Sequence, residues 1–273
     1  MANKWIVLDC SYLCHRARHT TGFLNFDGTP TGVIYGFLRF LRDYKYKTVD
    51  AEYVFCFDSR KSKRQQVFAG YKQHRKQVLS QQEQKIERDF HHQLNRLRLR
   101  YLPDMGFKNV FLQSGYEADD IIASICKHRK QSDIILIVSS DKDLYQLLRS
   151  NVHMHDPYKD KIMTPAVLRQ EFLIGPDEWW KMLAIAGCSS DSVPGIKGIG
   201  QHTAIRILND NYPKDSVLYA RYEESQEIID RNLKLVKLPF PGVKYNRPQK
   251  NNFNRMAFRR IVKSLGMKSL MKG

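Results

Sequence analysis

No run of about 18 apolar residues occurs in the chain, so a membrane-spanning helix is not expected. The opening residues, Met1-Ala2-Asn3-Lys4-Trp5, lack the apolar stretch of a secretory signal. Cysteine is scarce: Cys10, Cys14, Cys56, Cys126 and Cys188 are odd in number and scattered, with no C-x-x-C pair. Such a set argues against a disulfide framework or a zinc site and fits reduced thiols in a cytoplasmic setting. Internal repeats and low-complexity tracts are missing too. Acidic side chains are absent from two whole stretches, residues 59–82 and residues 237–273.

What is present bounds the answer further. With 273 residues and 42% apolar content the chain can bury a core, which excludes global disorder. Its 45 Lys and Arg against 28 Asp and Glu give a formal net charge of +17, which points to a polyanionic partner. The base is concentrated. Residues 60–100 hold 12 basic and 3 acidic side chains, and residues 237–273 hold 10 basic ones. The remainder is nearly neutral yet carries 25 of the 28 acids.

Residues 5–8, 53–57, 110–112 and 134–138 read as continuous apolar strands. Helical spacing lies between them: Val33, Phe37, Phe40, Leu41 and Tyr44; then Ile86, Phe90, Leu94, Leu97 and Tyr101; then Ile121, Ile122, Ile125 and Cys126. This alternation predicts an α/β fold with a mostly parallel central sheet flanked by helices. From residue 164 the pattern stays helical, with Thr164-Pro165 and Pro176-Asp177 as helix starts. The expected organisation is an α/β core over 1–163 with a basic segment at about 59–100, a helical region over 164–240, and a basic C-terminal extension over 241–273. In that extension residues 238–254 look irregular, and a helix at roughly 255–265 would use Met256, Ile261 and Leu265.

Ligands of such sheets bind beyond the carboxyl ends of the strands. There the sequence puts Asp9, Asp58, Glu117 and Asp141, with Asp119, Asp120, Asp143 and Asp191 as further candidates. Taken singly, Glu117-Ala118-Asp119-Asp120 and Asp141-x-Asp143 could be no more than capping and first-turn acids. Taken together, eight carboxylates at one sheet edge would repel unless cations neutralise them. Hard oxygen donors suit Mg²⁺ or Mn²⁺, and a pair of such ions about 4 Å apart is a common device for phosphodiester hydrolysis.

At these residues the sequence resembles the 5′-nuclease family: flap endonucleases, phage 5′→3′ exonucleases and the 5′-nuclease domain of bacterial DNA polymerase I. Asp9-Cys10-Ser11 is similar to the family's first-strand Asp with a small polar residue after it. Gly28-Thr29-Pro30-Thr31-Gly32 resembles a G-x-P-T-G segment. Phe57-Asp58 and Tyr71-Lys72-x-x-Arg75 resemble the second acid and a Y-K-x-x-R motif. Glu117-Ala118-Asp119-Asp120 matches E-A-D-D, and Ser140-Asp141-Lys142-Asp143-Leu144 resembles (T/S)-x-D-x-D. The stretch from Ser190-Asp191 to Gly195-Ile196-Lys197-Gly198-Ile199-Gly200 is similar to S-D-N-x-P-G-x-x-G-x-G. Arg231-Asn232-Leu233 and Leu238-Pro239 resemble the closing N-L-x-L-x-x-L-P. Each piece alone is weak. Their order and spacing over residues 5–240 carry the resemblance.

The resemblance implies a PIN-like 5′-nuclease fold with a helical arch and a helix–three-turn–helix element. It implies one metal at Asp9, Asp58, Glu117 and Asp119, and a second held or oriented by Asp120, Asp141, Asp143 and Asp191. Lys72 and Arg75 would contact the scissile phosphate from an arch through which a single-stranded 5′ end passes, with Tyr71 beside them. Gly195, Lys197, Gly198 and Gly200 would grip duplex DNA by its backbone, with a K⁺ bound in that turn. Phe23, Leu24 and Phe26 could wedge against the terminal base pair. The implied activity is Mg²⁺-dependent 5′→3′ exonuclease and 5′-flap endonuclease cleavage of DNA, extending to RNA primers in RNA–DNA hybrids. The expected agent is a free-standing monomer acting at 5′ ends, flaps or nicks in a bacterial or phage-infected cell, without a membrane. A non-catalytic binder of branched DNA and an RNA-cutting enzyme of related fold are the rivals. One departure stands out: Cys188 occupies a position where the family commonly has a metal-site Asp. A thiol is a poor Mg²⁺ ligand.

Overall fold

The computed structural model describes residues 3–48, 50–73 and 80–271. All four expected strands form: β1 (Lys4–Asp9), β2 (Glu52–Phe57), β3 (Val110–Leu112) and β4 (Ile134–Val138). Two further strands, β5 (Val152–Asp156) and β6 (Lys161–Met163), complete a six-stranded sheet of order β3-β2-β1-β4-β5-β6. The first five are parallel and β6 runs antiparallel at the edge. β5 was not legible as a continuous apolar run because it alternates: Val152 and Met154 are buried, while His153 and His155 are only partly covered. That is the pattern of a strand near a sheet margin.

Side chains of successive residues leave a strand on opposite faces. Val7, Val54, Cys56 and Ile137 therefore enter one core, with α4 (Ala118–His128) over it. Ile6, Leu8, Phe55 and Phe57 enter the other, covered by α1 (Cys10–Thr21), α2 (Gly32–Lys47) and α3 (Gln81–Arg96). All five cysteines are free and buried. Among the described residues no helix is long and apolar enough to cross a membrane.

Helices α5 (Pro165–Phe172), α6 (Pro176–Ala186), α7 (Gln201–Leu208), α8 (Val217–Glu224) and α9 (Gln226–Val236) follow. The helical spacing at 176–208 yields α6 and α7, joined through a Gly-rich turn. Gly187, at φ +81, and Gly195 meet backbone to backbone there: a Cβ on Gly195 would come within 2.1 Å of the Ala186 carbonyl. Only glycine allows that approach.

Two expectations change here. The basic segment of residues 59–100 is not one free arch. α3 packs Phe90 into the core, and Gln93 Oε1 accepts from the amides of Val33 (2.9 Å) and Ile34 (3.3 Å) at the start of α2. Nor is residues 241–273 an appended extension. Its helix α10 (Arg255–Ser264) buries Phe258, Ile261 and Val262, and Leu265, Met267 and Leu270 follow them into the core over α1 and α2. Met256, expected on the apolar face, is 80% exposed. Each fully buried aliphatic or aromatic side chain contributes about 1.5–3 kcal/mol, so this segment supplies as much as a domain's whole net stability. Deleting residues 251–273 is therefore expected to abolish the cooperative thermal transition. A truncated chain that keeps that transition and shows only weaker DNA binding would contradict this packing.

Candidate active site

The parallel register aligns the carboxyl ends of the strands: Asp9 pairs with Cys56, and Leu8 with Val138. Asp9 thus ends β1, Asp58 follows β2 by one residue, and Ser139-Ser140-Asp141 follows β4. Beyond β3, Glu117 caps α4, and Asp119 sits in its first turn where the helix dipole favours negative charge.

Several of these carboxylates are held by their neighbours. Asp9 Oδ1 accepts from the Tyr12 amide (3.0 Å), capping α1, and Oδ2 accepts from Ser139 Oγ (2.9 Å). Asp58 Oδ1 accepts from the Ala118 amide (2.7 Å), which ties β2 to the start of α4. Asp141 Oδ1 accepts from the Asp143 amide (2.9 Å). Asp143, Cys188 and Asp191 come together, with ligand atoms all within 4.8 Å of one another. The Cys188 thiol donates to Asp143 Oδ2 (3.6 Å) and lies 3.0 Å from Ser190 Oγ.

Electrostatics bind these groups into one cluster. Burial and the adjacent Asp58 charge push Asp9 up to about 7. Burial, Asp141 and Asp191 push Asp143 up to about 7. Burial raises Asp119 well above the carboxylate range, with Asp141, Asp9, Asp58 and Glu117 all adding to it. Asp141 is raised as well, by burial and then Asp191, against the Asp143 amide and Lys72. Burial, with Asp143 near, lifts the Cys188 thiol to about 12. Among the described residues Lys72 and Arg64 reach this cluster, too few cations to balance seven carboxylates, and its donors are hard oxygens apart from one sulfur. Divalent ions such as Mg²⁺ or Mn²⁺ fit that donor set.

A pH dependence follows. Asp9 and Asp143 bind protons more tightly folded, near pH 7, than unfolded, near 3.8. Their contribution to stability is full below about pH 4 and is lost as pH rises through 7. In EDTA, raising the pH from 5.5 to 8 is expected to lower the melting temperature, and adding Mg²⁺ at pH 8 to restore it. A metal-free protein that grows steadily more stable over that range would contradict the crowding of these acids.

Tyr71 and Lys72 meet the cluster from the basic segment. Tyr71 Oη lies 3.0 Å from Glu117 Oε2 and 2.8 Å from Asp191 Oδ2, and Lys72 Nζ lies 2.8 Å from Glu117 Oε2 and 3.4 Å from Asp191 Oδ1. Burial works against the Lys72 charge, but Glu117 and Asp191 outweigh it and hold the ammonium above its ordinary range. Lys72 has a left-handed backbone, φ +53, which costs a non-glycine residue about 1 kcal/mol or more. Its amide donates to the Asp191 carbonyl (2.8 Å), fixing that conformation. Arg75 lies outside the described residues.

Asp120 does not join the cluster, which corrects its assignment as a metal-site acid. It is fully buried and takes a bidentate pair from Arg64 at 2.7 Å and 2.7 Å. It also accepts from the amides of Glu117 (3.1 Å) and Phe240 (2.8 Å). Arg64 completes its set on the Leu235 carbonyl (2.8 Å). Burial alone would lower the guanidinium, and Asp120 and Glu117 more than reverse that. Arg64 was one of many bases in sequence, and nothing there singled it out.

The other expected positions lie apart. Lys197, Gly198 and Gly200 are exposed on the α6–α7 turn, Gly195 is half-buried, and Ile196 and Ile199 anchor that turn in the core. Phe23 is 79% exposed and Leu24 half-buried. Phe26 is exposed as well, with one side of its ring against Gly266, where any Cβ would meet it at 2.2 Å.

Known proteins are similar to this chain in sequence and in fold. Residues 4–173 match the family described as 5′-3′ exonuclease, N-terminal resolvase-like domain. The 5′-3′ exonuclease of Buchnera aphidicola subsp. Schizaphis graminum is 30% identical over 93% of this chain and 82% of its own length. Thermostable DNA polymerase I of Thermus aquaticus is 33% identical over 75% of this chain, but the match spans only 24% of the polymerase. Among solved structures, the bacteriophage T5 5′-exonuclease with divalent metal ions (zinc) bound has the same fold, with a TM-score of 0.73 at 19% identity, covering 99% of this chain and 96% of that one. Human GEN1 in complex with Holliday junction DNA matches with a TM-score of 0.60 at 15% identity, over 97% of this chain and 68% of that one. The match over residues 4–173 and the full-length relatives show that the chain belongs to the 5′-3′ exonuclease family.

Proposed function

We propose that this chain is a Mg²⁺-dependent, structure-specific 5′ nuclease that hydrolyses DNA phosphodiesters from 5′ ends and at 5′ flaps, removing RNA primers from hybrids as well. The observation that carries this reading is seven carboxylates gathered at one sheet edge, with the Lys72 ammonium among them, in a chain of net charge +17. Asp9, Asp58, Glu117 and Asp119 would hold one ion, and Asp141, Asp143 and Asp191 a second. Bound there, Mg²⁺ or Mn²⁺ supplies positive charge against the phosphate and acidifies a water.

The chain's own groups do the rest. Ser139 and the Tyr12 amide orient Asp9, and the Ala118 amide orients Asp58. Tyr71 braces Glu117 and Asp191. Lys72 keeps its proton, and its fixed charge offsets negative charge developing on the phosphate. Arg75 would add a second cation. The products would be a 5′-phosphate and a 3′-hydroxyl. Exposed Lys197 and the glycines of the α6–α7 turn would take duplex phosphates by close backbone approach, with K⁺ in the turn. The protein would act as a monomer, in the cytoplasm.

The test is cleavage of a 5′-flap duplex. Wild type should cut in Mg²⁺ and stop in EDTA, and Asp141→Asn should bind the substrate without cutting it. Equal cleavage by Asp141→Asn would remove the carboxylates from the chemistry. Cys188 sharpens the metal question: a neutral thiol beside Asp143 gives Mg²⁺ a weaker second site. Cys188→Asp is expected to shift the Mg²⁺ titration of cleavage to lower concentration. Coincident titrations would show that this position does not ligate.

A further inference from the structure

The C-terminal end of α4 faces away from the carboxylates, about 16 Å along the helix from them. A groove of about 1090 Å³ opens there, between α4, α6 and the segment 233–243. Its lining includes four exposed lysines, Lys127, Lys181, Lys234 and Lys237, that make no ion pair among the described residues. The sole acid on its lining, Asp177, is already taken by Arg149 at 2.8 Å. Trp180 lies in the groove with two ammonium groups over its ring, Lys237 at 4.2 Å and Lys181 at 5.6 Å from the ring centre. On the floor, Ser124 is 1% exposed, and its hydroxyl has no hydrogen-bond partner among the described residues. The wall is prebuilt: the Leu238 amide donates to Gln146 Oε1 (2.8 Å) and the Phe240 amide to Asp120 Oδ1 (2.8 Å). None of the four lysines pairs with a member of the carboxylate cluster among the described residues.

We infer that this groove is a second nucleic-acid site, taking a single strand by its phosphates at a place separate from the carboxylate centre. The chemistry favours a phosphate chain over an acidic peptide. Lysine is a compact, mobile point charge that suits phosphate oxygens, whereas planar recognition of carboxylates favours arginine forks. The two arginines on the lining are already engaged, Arg149 with Asp177 and Arg129 with the Asn151 side chain. An indole and the apolar side chains of Leu238 and Pro239 offer base faces a surface to pack on. A groove lined by lysines on both sides admits one strand, whereas a duplex presents its phosphates on a convex cylinder. The inference rests on the reading that the chain handles nucleic acid, but not on its cutting it.

The experiment measures anisotropy of a fluorescent oligothymidylate with the full chain in EDTA, over a range of salt. Wild type is compared with Lys181→Gln/Lys237→Gln and with a charge-matched control far from the groove, Lys108→Gln/Lys159→Gln. The groove variant is expected to bind about tenfold more weakly and to lose about 1.4 from its salt slope, the share of two phosphate contacts on a single strand. The control should bind as wild type does, and all three should cut a short 5′-flap duplex equally in Mg²⁺. No loss in the groove variant overturns the inference, as does an equal loss in the control, which would be net charge alone. A polyglutamate peptide that binds the groove while the oligonucleotide does not overturns it too, in favour of protein docking. Because binding is read without metal, failure of the cleavage assay leaves this result intact and counts only against the nuclease reading.

Discussion

Asp119→Asn is expected to cut a 5′ flap at least about a thousandfold more slowly than wild type while its metal-free melting temperature at pH 8 rises. The two halves of that result have one cause. The charges of Asp141, Asp9, Asp58 and Glu117 all bear on Asp119, whose own burial already disfavours its charge. Removing one charge would relieve repulsion among the acids and, with Asp119 as a metal ligand, would take a donor from the loaded site. A merely structural acid would behave the other way. Losing a first-turn carboxylate costs a helix about 0.3–1 kcal/mol through its dipole and leaves chemistry elsewhere untouched. A variant that melts lower and still cuts would assign Asp119 to the helix rather than to the reaction. Kinetics and thermal denaturation of one preparation read both.

Arg64→Met should be the most destabilising single change near the site. It leaves Asp120 fully buried without its cation, and frees the Leu235 carbonyl of its donor. Breaking a buried pair from one side costs about 3–5 kcal/mol, or a fall of about 10 °C in melting temperature for a chain of this size. Removing the charge from both sides, in Arg64→Met/Asp120→Asn, should recover part of the loss, because the stranded charge is then gone. An unchanged melting temperature for the single variant would mean the pair is dispensable. The pair matters to function through position: Asp120 also accepts from the amide of Glu117, so it sets the first turn of α4 from which Glu117 and Asp119 reach the cluster.

The strands that build the site were legible because a parallel sheet buried on both faces writes itself as runs of apolar residues, and each run stops at its acid. Asp9 and Asp58 could be placed from that alone. What the sequence could not show was direction. In E-A-D-D, Asp119 and Asp120 differ by one position, yet 100° around a helix sends one to the cluster and the other into the protein against Arg64. Nor could charge counting tell a basic surface from a basic stretch with an apolar underside. Residues 237–273 read as a tail of ten bases without acids, but Phe258, Ile261 and Val262 of α10 close the core. Arg64 and Lys72 fall in one basic segment; the Y-K-x-x-R motif marked Lys72, but nothing local marked Arg64, which burial against Asp120 sets apart from the segment's solvated lysines.

A carboxylate cluster of this kind, if it cuts at the 5′ side of DNA junctions, leaves a definite pattern of fragments. A single time course on a 5′-flap duplex labelled at either end, in Mg²⁺, tests it most directly. The 5′ label is expected to leave on a fragment cut at the base of the flap, the 3′-labelled strand to shorten only from its 5′ end, and EDTA to stop both. Trimming from the 3′ end, or stable binding with no cleavage in either Mg²⁺ or Mn²⁺, would contradict it.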